Sequence, residues 1–342
     1  MVPVLLTTLA SYRAFSCLSQ QFSAIIYMHD KDPRPPPNSA YHAGAEFLIQ
    51  GDYPLKLHKS YTDQVALLKS RGLIIHDESQ AAKVLETVNY YRLSGYLHEF
   101  KKDGEDCYID GLSFEKVLAL YHFDAKLTRV LMYALEDVEE SLKTRFSYEL
   151  SSSYPLDPLI YLDGKVYRNQ SEFLRFKAMF DKSKKDNSQL PFVKHHIENY
   201  NGDLPVWVAV EIMTMGNIHK LYNNLKGCHQ KAIAKAYNTG SVQMKSWIEN
   251  LTYTRNHLAH YMRIYDYSFG RTPALCAKHP QMTQTGRIFD QIMAIGYMFS
   301  SQEEWKDYVV PEIKKLINEY SEYIDLEDIG FVEGWENLLL SI

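Results

Sequence analysis

The chain has 342 residues, of which 46% are hydrophobic and 13% aromatic. This length supplies a large core and is compatible with roughly one to three domains. The net charge of −5 excludes a uniformly basic protein that coats nucleic acid through charge alone. No segment reaches the roughly 18 consecutive apolar residues that a membrane-spanning helix needs.

The charge is unevenly distributed along the chain. Residues 301–342 hold three lysines against eleven carboxylates, a net of −8, so residues 1–300 carry +3. Residues 163–200 hold eight Lys or Arg and five Asp or Glu, together with His195 and His196. The acidic tail is interpreted either as a solvated helix face or as a competitor with RNA for a basic groove. No metal site is predicted at the two histidines, because neighbours on a helix point about 100° apart.

The beginning of the chain differs from the rest. Residues 1–28 are moderately apolar but interrupted by polar residues, a poor pattern for a signal peptide, and residues 30–39 are rich in proline. We interpret residues 1–53 as an N-terminal extension that is disordered or results from an over-long start-codon assignment. The four cysteines form no C-x-x-C pair and no disulfide framework. With no clear export signal, this predicts a cytoplasmic protein.

The sequence predicts an all-α fold, since breakers are few (16 Gly and 13 Pro) and the apolar periodicity is helical over long runs. The longest predicted helix is capped by Ser113 and continues to about Leu150. The other predicted helices, in chain order, span about 61–71, 79–91, 171–182, 205–215, 241–266, 288–298 and 305–323.

The helix predicted over 241–266 carries Arg255-Asn256-His257-Leu258-Ala259-His260. Its apolar positions recur at steps of three and four and make one buried stripe: Trp247, Leu251, Thr254, Leu258, Met262 and Tyr265. His260 falls nearly opposite this stripe, on a face shared with Glu249, Tyr253, Asn256 and Arg263. Asn256 and His260 are four residues apart and are therefore neighbours. Arg255 lies about 140° from His260, so only its length would bring its charge to the same site.

These three residue types suit chemistry on a phosphate. Histidine takes or gives a proton near neutral pH, and arginine offers a planar fork that matches phosphate oxygens. Asparagine orients an imidazole or binds a phosphate oxygen. The alternative is an ordinary solvated helix face without a function in chemistry.

A second notable segment, Asn89-Tyr90-Tyr91-Arg92-Leu93-Ser94-Gly95-Tyr96, interleaves aromatic rings with an arginine. Such rings stack on unpaired bases. The alternative is a packed helix end whose tyrosines bury their rings.

The R-N-x-x-x-H pattern at 255–260 resembles the signature of the HEPN superfamily of all-α nucleases and nucleotide-binding domains. Other segments accompany it in order: 89–96, Phe123-Asp124 at the start of a long helix, and Leu204-Pro205-Val206-Trp207-Val208 running on through Glu211 and Gly216. Together they resemble the Abi-like family, the bacterial abortive-infection proteins of the AbiD/AbiF type. The resemblance covers roughly residues 55–267.

The resemblance implies a HEPN-like helical bundle with additional N- and C-terminal helices, divided at about 54–110, 111–270 and 271–342. It implies a metal-independent endoribonuclease of anti-phage defence, without a cofactor, that leaves 2′,3′-cyclic phosphate ends. In this interpretation His260 is the acid/base, Arg255 binds phosphate and Asn256 orients the imidazole. Secondary candidates for RNA contact or support of the site are Tyr253, His257, Arg263, Glu140 and Arg145.

The implied partners are an RNA substrate, a second copy of the chain that completes the site, and an inhibitor for which a small non-coding RNA is a candidate. No membrane partner is expected. Two other interpretations stay open: a non-catalytic RNA-binding or regulatory module, and a protein-interaction subunit whose face at His260 is a dimer seam.

Overall fold

The computed structural model describes residues 57–342; the predicted extension over residues 1–53 and its proline-rich segment lie outside that range. Residues 58–342 form one compact unit. Within residues 57–342 the chain is helical, with isolated β-bridges and no strand, which confirms the all-α prediction. The helices are α1 (Tyr61–Ser70), α2 (Glu78–Thr87), α3 (Tyr90–Leu97), α4 (Phe114–Ser153), α5 (Gln170–Asp186), α6 (Pro191–Asn199), α7 (Val206–Ala209), α8 (Met215–Asn224), α9 (Gly227–Lys235), α10 (Ser241–Ala259), α11 (Ile288–Met298), α12 (Val310–Glu319) and α13 (Trp335–Leu340).

Helix α4 is the central element of the fold. It is 40 residues long, and its N-cap Ser113 accepts a hydrogen bond from the backbone N–H of Lys116, as predicted. Its buried side chains recur at steps of three and four, and it packs against α3 and against α7 through α12. A helix buried along one side by so many neighbours fixes their relative positions. One continuous core crosses the predicted boundaries near 110 and 270, which themselves remain predictions.

The helix predicted over 79–91 is two helices, so that prediction is wrong in detail. Val88 is extended (φ −113°, ψ 111°), and the Asn89 side chain accepts a hydrogen bond from the N–H of Tyr91 to cap a new helix, α3. The cap satisfies a donor that the first turn of a helix leaves unpaired. The segment 89–96 is therefore a helix of its own, with Tyr96 buried and Arg92 exposed.

The acidic C-terminal segment is folded onto the rest of the unit. Trp305 is fully buried, and its ring N–H donates to the carbonyl of Leu339 at 3.0 Å. Glu319 pairs with Lys126 on α4, and the hydroxyl of Tyr265 donates to Asp328 at 2.6 Å. These contacts favour the interpretation of the acidic tail as the solvated side of packed helices.

Helix α11 is strongly apolar, and all but one of its eleven residues are buried. Its bounds, Ile288–Met298, match the prediction. Among the helices of residues 57–342, none combines the length and the apolar character required to cross a membrane. Four observed helices were not among the predicted ones: α6, α8, α9 and α13. Helix α9, for example, is a short run between Gly227 and Lys235 with only a weak apolar pattern.

Candidate functional site at the end of α10

Helix α10 ends at Ala259, seven residues before the predicted end at Asp266. Tyr261 takes the left-handed conformation (φ 55°), its N–H donates to Leu258, and the N–H of Met262 donates to His257. This pair of hydrogen bonds is the Schellman arrangement that closes a helix, in which glycine usually occupies the left-handed position. His260 is therefore the C-cap residue of α10 rather than a residue within a longer helix.

Helix α3 contacts the residue that follows His260. The guanidinium of Arg92 donates a hydrogen bond to the carbonyl oxygen of Tyr261 and lies 6.0 Å from the centroid of the Tyr261 ring. A cation at that distance from an aromatic ring is favourable. The two notable segments of the sequence, 89–96 and 255–260, thus meet at this point of the structure.

A buried carboxylate holds the segment that follows. Asp124 of α4 accepts hydrogen bonds from the N–H groups of Ile264 and Tyr265, both at 2.9 Å, and from the hydroxyl of Tyr96 at 2.8 Å. Burial raises the pKa of Asp124 to about 6, and these hydrogen bonds oppose the rise. Asp124 thus joins α3, α4 and the segment after α10, and so links Phe123-Asp124 to the other two motifs in this structure.

His257 is buried, and its contacts are those of a residue that packs within the structure. Its ring N–H at Nε2 donates to the carbonyl of Arg263 at 2.8 Å, and its ring lies 4.4 Å from that of Tyr267 between centroids. Phe269 and Tyr253 complete the aromatic surroundings. Burial lowers the pKa of His257, which favours the neutral ring.

Two secondary candidates, Tyr253 and Arg263, surround this aromatic cluster. The hydroxyls of Tyr253 and Tyr267 are 2.8 Å apart, while half of Tyr253 remains exposed. Arg263 pairs with Glu99 at 3.3 Å and donates to the carbonyl of Asp266. Both residues therefore support the end of α10, and Tyr253 also reaches the surface.

Arg255 points towards α4. Its Nε lies 3.5 Å from Oε2 of Glu139, whose other oxygen is 3.0 Å from the Lys143 ammonium. The Arg255 side chain is only 13% exposed. One carboxylate thus lies between two cations, and the three residues together carry one net positive charge.

Asn256 and His260 are exposed on the outer face of α10. Within residues 57–342, neither side chain has a hydrogen-bond partner among the contacts of the structure. An imidazole and an amide with unused polar atoms are available to a ligand from solution. This agrees with the predicted orientation of the two residues away from the buried stripe.

The two candidates on α4 occupy other places. Glu140 is exposed, and Arg145 lies over the ring of Tyr237 at 6.0 Å, a residue that follows α9. The α4 residue that meets the R-N-x-x-x-H motif is Glu139. The spacing of Glu139 and Lys143 was a sequence signal for an ion pair, but nothing in the sequence indicated that Arg255 joins it.

Sequence reasoning also missed the contact between Arg92 and Tyr261. Arg92 belongs to the segment 89–96, which the sequence had already indicated as a candidate for RNA contact. Its partner could not be predicted, because the position of Tyr261 depends on how α10 ends. Within the part of the chain that the structure describes, no group of three His, Cys, Asp or Glu side chains could hold a metal ion. The chemistry available at this place is that of an exposed imidazole, an exposed amide and arginines.

Comparison with known proteins gives one match. The sequence model of a family described as Abi-like protein matches residues 83–266, from within α2 to the segment after α10, which is more than half of the chain. No curated protein and no solved structure matches. The match contains Arg92, Asp124, Arg255 and His260, whereas Tyr267 and Phe269 of the aromatic cluster lie just beyond it. The chain belongs to the Abi-like protein family.

Proposed function

We propose that this protein is a HEPN-type endoribonuclease of abortive-infection defence that cleaves RNA without a metal ion. The observation that carries the proposal is the exposed His260 beside Asn256, with no protein partner for either side chain among the described residues. Membership of the Abi-like family supports a function of the abortive-infection type. The catalytic assignment goes further and rests on the chemistry of these residues.

In the proposed reaction the 2′-hydroxyl oxygen of RNA attacks the adjacent phosphorus. The 2′-hydroxyl gives up its proton, the bond from phosphorus to the 5′-oxygen breaks, and that oxygen receives a proton. The products are a 2′,3′-cyclic phosphate and a 5′-hydroxyl. His260 performs one of the two proton transfers, and general acid–base help of this kind contributes about 10²–10⁴-fold to the rate.

Asn256 and Arg255 have supporting roles in the proposal. The amide of Asn256 orients the imidazole or binds a phosphate oxygen. Arg255, with Glu139 and Lys143, forms a group of net charge +1 behind the exposed face of α10. A fixed positive charge close to the developing negative charge on the phosphate lowers the energy of the transition state.

Two proton transfers are needed, whereas one chain supplies one R-N-x-x-x-H motif. A second copy would supply the other histidine if the two motifs met across a two-fold axis. Tyr261 and Met262, next to His260, are 62% and 53% exposed, which gives such an interface apolar surface. The proposed active form is therefore a homodimer.

The proposed biological role is growth arrest during phage infection, through cleavage of host or phage RNA. A nuclease of this kind must be held inactive at rest, and a small non-coding RNA is the inhibitor that we propose. The protein acts in the cytoplasm in this proposal.

The proposal is tested with a mixed-sequence RNA and a DNA of the same sequence, each incubated with purified protein with and without EDTA. We expect the RNA to be cut, with cyclic-phosphate ends, and the DNA to remain intact because it lacks the 2′-hydroxyl. Cleavage of both, or cleavage that EDTA abolishes, would contradict the mechanism.

A second candidate function is a non-catalytic RNA-binding module. It is favoured by the ion pair between Arg255 and Glu139, which compensates the charge of the motif arginine. In that case RNA would be retarded in a gel shift and recovered uncut. If His260 belongs only to a dimer seam, His260→Ala would instead weaken dimerisation and leave RNA binding unchanged.

A further inference from the structure

Arg92 is an exposed cation that a backbone contact holds beside Tyr261. Its guanidinium donates to the carbonyl oxygen of Tyr261, the residue that immediately follows His260. A guanidinium has five N–H donors, so one hydrogen bond to a carbonyl leaves most of them for another acceptor.

The charge of Arg92 is not compensated by the part of the chain that the structure describes. Arg255 pairs with Glu139 and Arg263 pairs with Glu99, but no carboxylate of residues 57–342 lies within ion-pair distance of Arg92. Its two named contacts, a carbonyl and an aromatic ring, orient the guanidinium without neutralising it. An anion from solution would complete this arrangement.

Tyr261, which accepts the hydrogen bond from Arg92, is fixed by contacts before and after it in the chain. Tyr261 is fixed by the hydrogen bonds that close α10, and the residues after it are held by Asp124 through Ile264 and Tyr265. The guanidinium is therefore positioned relative to His260 before any ligand binds. Preorganisation of this kind gives a charged group its largest effect on a reaction.

From these contacts we propose that Arg92 binds the phosphate of the RNA on which His260 acts. The inference rests on the proposed function and adds a phosphate-binding residue from α3, outside the R-N-x-x-x-H motif. Arg92 would bind non-bridging phosphate oxygens through the N–H groups that do not contact Tyr261, and its geometry suits two oxygens at once. The partly buried Arg255 would then not contact the phosphate. It would act at longer range, through the net positive charge that it forms with Glu139 and Lys143.

The test compares wild type with Arg92→Gln, Arg92→Lys and the control Arg175→Gln, an exposed arginine on α5 that pairs with Glu172. A fluorescein-labelled mixed-sequence RNA is used for two measurements on the full chain. The first is the single-turnover cleavage rate in EDTA. The second is the affinity for RNA between about 50 and 200 mM salt.

We expect Arg92→Gln to lower the cleavage rate by about 10²-fold, as the loss of one donor to a reacting oxyanion typically does. The slope of log affinity against log salt should fall by about one for one lost phosphate contact. Arg92→Lys should retain the slope but lose rate, because an ammonium cannot replace a planar fork. Arg175→Gln should leave both measurements unchanged.

For Arg92→Gln, a lower rate with an unchanged salt slope would overturn the inference, because Arg92 would then only hold Tyr261 in place. An unchanged rate with an unchanged slope would overturn it as well, while the proposed nuclease stands. If wild type binds RNA but does not cut it, the proposed function fails, and the salt slope alone decides whether Arg92 contacts phosphate. Circular dichroism verifies folding. If Arg92→Gln fails to fold, Arg92→Met replaces it as an uncharged variant of similar length; a salt slope lower by about one then supports the inference, and an unchanged slope overturns it.

Discussion

Asp124 provides the sharpest test of how the structure supports the site, because one buried carboxylate accepts hydrogen bonds from three groups. The donors are the N–H groups of Ile264 and Tyr265 and the hydroxyl of Tyr96. Replacing Asp124 with alanine leaves all three without an acceptor. Replacing it with asparagine keeps the shape and one oxygen, so one donor faces an amide NH₂.

The expected loss follows from the cost of an unpaired buried polar group, about 1–3 kcal/mol each. Asp124→Ala should therefore cost at least about 3 kcal/mol, a large part of a typical total stability of about 5–15 kcal/mol.

The pKa of Asp124 determines whether the free energy of unfolding rises or falls with pH. The pKa of Asp124 is raised from 3.8 to about 6, so between these values the folded protein holds a proton that the unfolded chain has released. The free energy of unfolding therefore falls as pH rises through this window. A difference of about two pKa units corresponds to about 3 kcal/mol.

Denaturant unfolding of wild type and Asp124→Asn at pH values between about 4 and 7 measures this contribution. Asparagine does not titrate, so the free energy of unfolding of wild type minus that of the variant should fall by about 3 kcal/mol as pH rises. Asp290, whose pKa is also raised by burial, is present in both proteins and cancels. Two curves that run parallel across this range would refute the reasoning.

The remaining predictions concern packing, charge and assembly. His257→Ala should lower the free energy of unfolding by about 2–4 kcal/mol, because the ring and its hydrogen bond are buried. His260 is exposed, so His260→Ala should change that free energy by less than about 0.5 kcal/mol. Equal thermal midpoints for the two variants would contradict this. Gly296→Ala should cost about 1–3 kcal/mol, since the added Cβ would lie 2.7 Å from the Trp305 ring, and unchanged denaturant unfolding would argue against that contact. Glu139→Gln should cost about 1–3 kcal/mol by leaving two partly buried cations without a carboxylate, with an unchanged thermal midpoint as the opposing result. Met262→Asp should reduce the mass in light scattering from twice 39.7 kDa to 39.7 kDa, and a persistent dimer would place the interface elsewhere.

Features determined by local patterns were predictable from the sequence. The cap at Ser113 and the apolar stripe of α4 are local, and both appear in the structure as expected. The outward orientation of Asn256 and His260 follows from helical geometry in the same way. The break before α3 was also signalled, since Asn89 is a good capping residue, but the apolar spacing across Val88 favoured a single helix.

Features that depend on distant residues were not predictable. Tyr261 ends α10 in a conformation that glycine usually takes, so no sequence signal indicated the end. Arg255 was expected to bring its charge round to the site at His260 through its length, whereas it pairs with Glu139, a partner that depends on where α4 lies. The contacts of Asp124 and Arg92 likewise join segments that are far apart in sequence.

The most direct test of the central claim is RNA cleavage in EDTA by wild type beside His260→Ala and the control His195→Ala, an exposed histidine on α6. If His260 is the acid/base, wild type and His195→Ala should produce cyclic-phosphate ends, while His260→Ala loses about 10²–10⁴-fold in rate and remains a dimer. Equal cleavage by all three proteins would contradict the assignment of His260. RNA retained uncut by all three would favour the binding module instead.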